Sequence, residues 1–335
     1  MKSTETFDSR NHWAGLKEAG TYQGLLLLLW VYKVFGRQVF NVALYFVMVY
    51  FYVFNPIARN SSKDYLATHY RAYPGCWGKK PRRRDVIRHM LAFGQSILDK
   101  CLAWTRTIEE DEFIIVNEPE LRKLLEDSKG QLIIGSHLGN LEYCRGFVHR
   151  YKNKTINVLV YDQHSANFVN MMQRTSPDSR MNIYQVDGLD IPTILRLKEK
   201  IDRGEWLFIA GDRVPLSGEQ RTVNVDFMGR VASFPIGPYM LAKVLRCNVK
   251  LMFSYRVGDR VRFEMVPFSD QVVLQRKSSN SDLRRYAQQF AAELERQCVN
   301  APFQWFNFYP YWLDQQVSKS APEMIKNKQE GGVSD

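Results

Sequence analysis

Apolar residues are concentrated at one end of this chain. From Gly20 to Ala58 the only charged residues are Lys33 and Arg37. Two apolar runs fill the stretch. Leu25 to Phe35 ends at Gly36-Arg37, and Val39 to Phe54 ends at Asn55-Pro56. A bilayer-spanning helix needs about 20 apolar residues, which the second run, inside the uncharged segment Gln38 to Ala58, just meets. Its aromatics are Tyr45, Phe46, Tyr50, Phe51, Tyr52 and Phe54, and tyrosine favours the membrane interface. The pattern predicts a membrane-anchoring helical segment over 1–60, either spanning or re-entrant. The alternative is a hairpin buried within a soluble domain.

Beyond the anchor the periodicity changes. Ile87, Met90, Leu91, Gly94, Ile97, Leu98, Cys101 and Leu102 recur at helical spacing, predicting a core helix over 85–104. Strands and helices then alternate. Strands are expected at 113–116, 131–135, 156–161, 182–186, 205–210 and 222–227. Helices are expected at 119–128, from the turn after His137 to about 151, and at 165–175, 190–202 and 235–246. A strand pair, 248–257 and 260–266, turns at Gly258-Asp259, and helix 281–299 follows. Such alternation predicts an α/β fold with a mainly parallel sheet flanked by helices. The α/β domain is expected over 61–316, with a disordered polar tail over 317–335.

Charge narrows the partners. Lysine and arginine number 46 against 35 acidic residues, a net charge of +11. That balance suits nucleic acid, an anionic membrane or an acidic protein. No zinc-finger spacing or RNA-binding motif accompanies it, so nucleic acid is not expected. The basic residues gather after the apolar segment, in Lys79-Lys80-Pro81-Arg82-Arg83-Arg84 with Arg88 behind. A juxtamembrane cluster of this kind attracts anionic lipid and places its side of the anchor in the cytosol; it also suits an acidic protein, or is simply a solvated charge run. The five cysteines are scattered, without CxxC spacing, and read as reduced core thiols. No metal or cofactor is expected.

Chemistry concentrates where strands end. His137 follows the apolar strand Leu132–Ile134 across Gly135-Ser136, at the lip where open α/β sheets bind ligands. Glu142 stands five residues on. Those two meet only across a non-helical turn, which Gly139 and Asn140 favour. A carboxylate on one imidazole nitrogen leaves the other free to take a proton from a hydroxyl. Gly-Ser-His is not a nucleophile elbow, so the pair suggests a base without a covalent intermediate. Gly211-Asp212-Arg213 also ends a strand, on the same sheet edge. It is either a structural ion pair or a site where Arg213 meets a phosphate or oxyanion. Asn140 and Arg230 are further candidate substrate contacts. Phe234-Pro235-Ile236-Gly237 is either an anion- or acyl-binding helix start or an ordinary one. The aromatic strip Gln304 to Trp312 is expected to pack in the core, ahead of covering an acyl groove or meeting lipid.

Taken together, the anchor, Gly135-Ser136-His137-x4-Glu142, Ala210-Gly211-Asp212, Phe234-Pro-x-Gly237 and Gln304-Trp305 resemble the lysophospholipid acyltransferase superfamily, on the branch of the lipid A lauroyl/myristoyl acyltransferases. The block from His12-Trp13-Ala14-Gly15 to Leu29-Trp30 resembles a subgroup associated with aryl-polyene-type lipid pathways. The resemblance implies His137 as general base, oriented by Glu142, with Asp212 and Arg213 at the substrate. It implies a thioester donor, acyl carrier protein or acyl-CoA, and a lipid acceptor at the bacterial inner membrane, the catalytic domain facing the cytoplasm. Tyr161-Asp162 stands where lipid A enzymes have Tyr-Arg, and Val186-Asp187-Gly188 lacks an expected basic residue. The chemistry therefore carries over without the doubly phosphorylated acceptor. A thioester hydrolase using the same dyad, and a non-catalytic membrane-docking protein, are the alternative functions.

Overall fold

The computed structural model describes residues 22–105, 110–143, 154–160, 181–185, 190–214 and 221–314. The expected helix over 165–175, most of the helix after Glu142, Tyr161-Asp162, Val186 to Gly188 and the tail from 317 lie outside these residues.

Seven strands form the main sheet: β1 (Phe113–Val116), β2 (Gln131–Gly135), β3 (Ile156–Val160), β4 (Met181–Gln185), β5 (Trp206–Ala210), β8 (Asn248–Val257) and β9 (Arg260–Ser269). Their order is β1-β9-β8-β2-β5-β3-β4. The run from β8 to β4 is parallel throughout. β9 turns back antiparallel on β8, and β1 pairs parallel with β9. The expected mainly parallel sheet is therefore present. Its central strands are apolar on both faces because both faces are covered. Leu132 and Ile134 of β2, with Leu207 and Ile209 of β5, enter one core cluster. Ile133, Trp206 and Phe208 enter the other. This is the two-residue alternation of a strand.

The two remaining strands, β6 (Thr222–Phe227) and β7 (Arg230–Pro235), form a separate antiparallel hairpin. β7 corrects the sequence reading, which led from Gly229 straight into a helix at 235. Met228 and Gly229 both have positive φ, giving the two-residue turn that suits a hairpin's twist. Met228 carries no hairpin signature, which hid the turn. Pro235 ends β7, and the helix begins at Gly237.

Helices cover the sheet: α1 (Tyr22–Phe54), α2 (Pro56–Ala72), α3 (Arg83–Thr105), α4 (Glu118–Glu126), α5 (Ile191–Asp202), α6 (Gly237–Leu245) and α7 (Ser279–Asn300). The two apolar runs join in α1, kinked at Gly36, whose φ is 76° and ψ −176°. Residues Trp30–Phe54 are long and apolar enough to cross a membrane. One stripe of this helix, Phe40, Leu44 and Met48, is buried at i, i+4, i+8 spacing. Each such burial contributes about 1.5–3 kcal/mol. Leu44 sits over Gly94 of α3, where an added Cβ would lie 2.6 Å from Leu44 Cδ1. Arg37 reinforces the contact through Asp99 at 3.0 Å. The opposite face leaves Trp30, Val42, Phe46, Tyr50 and Phe54 exposed. The apolar segment is thus docked on α3 along one side and, among the described residues, exposed along the other.

The aromatic strip belongs to the core, as expected. Trp305 and Trp312 are fully buried, and short bridges tie Trp305 to Leu138 and Trp312 to Ala232.

Candidate active site

The site arises from strand register. Gly135 and Ala210 are paired partners at the ends of β2 and β5, and the ladder continues with Gly211 N–H donating to Gly135 O at 2.9 Å. His137 and Asp212 each lie two residues further. Neighbouring strands are about 4.8 Å apart, so equal offsets bring the two side chains together.

His137 Nδ1 lies 2.7 Å from Asp212 Oδ1. The His137 backbone N–H donates to Asp212 Oδ2 at 2.7 Å, and Trp305 Nε1–H donates to the same oxygen at 3.1 Å. Tyr311 donates its hydroxyl to the Asp212 carbonyl at 3.1 Å. Asp212 is completely buried, whereas the His137 side chain keeps about a third of its surface exposed. Burial alone would raise the Asp212 carboxyl. The His137 and Arg213 interactions outweigh it and hold the group below the usual carboxylate range. An ionised carboxylate only accepts, so the network assigns the imidazole hydrogen to Nδ1 and leaves the Nε2 lone pair available. Desolvation lowers the His137 pKa, helped by the Arg213 charge and opposed by Asp212. The imidazole is therefore neutral at neutral pH, in the tautomer a base requires.

Nδ1 has one hydrogen to give, and Asp212 takes it. The orienting place expected for Glu142 is filled by a residue seventy-five positions away. The turn between His137 and Glu142 is non-helical, as Gly139 and Asn140 favour. Gly139 has φ 67° there, and an added Cβ would lie 2.1 Å from Ser254 O, so only glycine fits. Asn140 is buried. Its N–H donates to Ser254 O at 2.9 Å, its Oδ1 accepts the Glu142 N–H at 3.0 Å, and its Nδ2 donates to Ser96 O at 3.4 Å. It holds the turn against α3. Burial pushes the Cys101 thiol up to about 11, with Lys100 opposing and the Glu142 charge adding.

Arg213 is held by the aromatic strip. Its Nε–H donates to Asn307 Oδ1 at 3.1 Å and its Nη2 to Phe306 O at 2.7 Å. Because Asn307 Oδ1 must accept, Nδ2 is the donor on its other side, and that atom is buried without a partner among the described residues. Arg230, expected at a substrate, is engaged in contacts within the protein. Its guanidinium binds Asp64 at 2.7 Å, Thr68 at 2.7 Å and Asp314 at 2.5 Å, and it stacks 4.6 Å from Trp312. These contacts make Arg230 a clamp between α2, β7 and the end of the strip.

The roles of three site residues were not marked by sequence alone. Trp305, Asn307 and Tyr311 lie in a strip expected first to pack in the core, Gln304-Trp305 entering only through the family resemblance. The strip bridges to Leu138 just after β2, which brings Trp305 and Tyr311 to Asp212 and Asn307 to Arg213. Among the described residues, no serine, threonine or cysteine side chain hydrogen-bonds His137; Ser136 Oγ instead accepts the Leu138 N–H at 3.3 Å.

A family model described as bacterial lipid A biosynthesis acyltransferase matches residues 29–314 of the chain. No curated protein matches it.

Proposed function

The chain belongs to the bacterial lipid A biosynthesis acyltransferase family, and on that premise we propose that it moves a fatty acyl group from a thioester to a hydroxyl of a lipid or glycolipid acceptor. The observation that carries the reading is the His137–Asp212 pair, with Nδ1 held by a buried carboxylate and Nε2 left as the base. The acceptor hydroxyl gives its proton to Nε2 as its oxygen attacks the thioester carbonyl. Asp212 stabilises the imidazolium that forms, without itself taking the proton. The tetrahedral intermediate collapses, the C–S bond breaks, and the departing sulfur recovers the proton from Nε2. Arg213, whose charge bears on the imidazole, serves in this reading as the cation that stabilises the oxyanion. Glu142 and Asn140 support the turn in this scheme, and Arg230 takes no part.

The donor is acyl carrier protein or acyl-CoA. An acidic carrier suits the net charge of +11 and the basic collar at Lys79 to Arg84. The exposed apolar face of α1 supports attachment to the bacterial inner membrane, and the adjoining collar supports a cytoplasmic catalytic domain facing anionic lipid.

The test supplies purified protein with carrier protein and CoA charged with a labelled acyl chain, with and without membrane lipid extract. Label entering lipid supports transfer. Release of free fatty acid alone indicates a hydrolase. Transfer that survives His137→Ala removes His137 from the mechanism.

A further inference from the structure

A cavity of about 640 Å³ lies beside the active-site turn, with Gly139 and Asn140 in its wall. Its volume is in the range of small-ligand sites. One side is built by α3. Arg84, Arg88, Ala92, Ser96 and Lys100 follow at four-residue intervals and form one ridge of that helix. Arg88, Ala92 and Ser96 of this ridge line the cavity. At the inner end, Ser96 O accepts the Asn140 side chain. One turn further on, the Lys100 charge bears on the His137 imidazole. From Arg88 to Lys100 the helix rises about 18 Å at 1.5 Å per residue.

The two ends differ in charge. Arg256, the other wall cation, is neutralised by Asp99 at 2.8 Å. Arg88 is exposed, and its guanidinium lies 4.3 Å from the Phe303 ring centre. It has no carboxylate partner among the described residues. Arg84 stands one turn before it, in the basic collar. The cavity thus runs from an uncommitted, ring-braced cation to Gly139 and Asn140, two and three residues beyond His137. Between them the wall is mixed, with Gln95 and Asn300 beside Leu91 and Ala92. A ligand for this space is anionic at its outer end and amide-like along its length.

We propose that the cavity receives the phosphopantetheine arm of the thioester donor, with the phosphate on Arg88 and the thioester directed towards His137. The assignment rests on the acyl-transfer reading and adds the donor's seat to it. Carrier-bound and CoA thioesters share this arm. An arginine–phosphate contact is the strong, charge-assisted kind, and its loss is expected to weaken binding about tenfold or more.

The experiment is a binding titration of the full chain in detergent micelles with 4′-phosphopantetheine and with pantetheine, which lacks the phosphate. Wild type is expected to bind the phosphorylated form about tenfold more tightly or better. Arg88→Glu is expected to abolish that preference while binding pantetheine as wild type does. Ala92→Trp, which fills the wall without touching the cation, is expected to weaken both ligands. Equal wild-type affinity for the two ligands overturns the proposal, as does an Arg88→Glu protein that still prefers the phosphate or an Ala92→Trp protein that binds both normally. Competition by holo-carrier protein and by CoA separates the sources. If Arg84→Glu weakens only the holo-carrier, the arm arrives on a protein; if CoA competes at least as well and is indifferent to Arg84, it arrives on the nucleotide. Either result supports the phosphate seat. Because binding is measured without turnover, failure of lipid labelling together with retained phosphate preference counts against acyl transfer and not against the site.

Discussion

The Asp212 carboxylate holds His137 at two points, Oδ1 on the ring Nδ1 and Oδ2 on the backbone N–H, both at 2.7 Å. One residue therefore fixes both where the imidazole stands and which nitrogen carries its hydrogen. His137→Ala is expected to lower transfer by about 10²–10⁴-fold, the usual span for a general base. Asp212→Asn keeps the shape and removes the charge that raises the His137 pKa. Its loss should be of similar order, and the acid limb of kcat/KM should move to lower pH. Glu142→Gln should cost far less. A pH–rate series on the three variants checks this, and a larger loss in Glu142→Gln than in Asp212→Asn would return the orienting role to Glu142.

Much of this was legible in the sequence, and the limits were physical. β2 is bounded at 131–135 in sequence and structure alike, because a fully apolar run closed by Gly135-Ser136 admits little else. That His137 and Asp212 share one sheet edge also followed, since both end parallel strands. That they touch did not, because contact depends on β5 lying next to β2, and strand order is set by long-range packing. The His-x4-Glu spacing drew attention to the nearest carboxylate in sequence, while the sheet supplied another one in space. The contact of Trp305 with Asp212 was hidden for a related reason. An aromatic strip reads as core whether or not one indole N–H meets a buried carboxylate.

Trp305 makes a second, separable contribution. Trp305→Phe preserves most of the ring and removes only the N–H that reaches Asp212 Oδ2 at 3.1 Å. A hydrogen bond to a charged group contributes about 1.5–3 kcal/mol, so urea unfolding should show a loss of that order. Turnover should fall with KM unchanged, because the carboxylate loses a restraint while the substrate loses none. An unchanged kcat in a destabilised protein would leave Trp305 as packing alone.

Behind the strip lies a histidine with a different task. His89 is buried, its Nε2–H donating to Trp305 O at 2.9 Å and its Nδ1 accepting from the Ser62 hydroxyl at 2.8 Å. Desolvation lowers its pKa to about 4, with the Trp305 carbonyl opposing. Between that value and the unfolded value of about 6.5, the unfolded chain binds a proton that the folded chain refuses. Stability from this group is thus full above about pH 6.5 and is lost as pH falls towards 4. The loss is about 3 kcal/mol in total at 1.36 kcal/mol per unit. Unfolding free energies measured from pH 7 to 4.5 should fall accordingly in wild type. His89→Asn should be less stable throughout but show a flatter slope, and an identical slope would remove His89 as the source.

Arg230 joins α2, β7 and the end of the strip through Asp64, Thr68 and Asp314. Its side chain is only 15% exposed, so the Asp64 contact is screened less than a surface pair, while Asp314 is largely solvated. Arg230→Ala should cost about 2 kcal/mol, between surface and buried pairs, with donor and acceptor KM values unchanged in folded protein. A raised KM without loss of stability would instead make Arg230 the substrate contact that its place in the sequence suggested.

The exposed side of α1 bears on where the reaction happens. Val42 and Phe46 lie one helical turn apart and are 60% and 66% exposed, while Leu44 between them is buried against α3. Substituting both with lysine leaves the Phe40–Leu44–Met48 stripe and the Arg37–Asp99 pair in place, so the folded domain should keep its thermal midpoint. Membrane retention should fall sharply, since a centrally placed lysine costs about 2.5–3.5 kcal/mol in a bilayer. Wild type should resist both high-salt and alkaline extraction, because salt screens the basic collar but not apolar burial. The double variant should be released by salt alone, and release of wild type by salt would leave only an electrostatic surface contact.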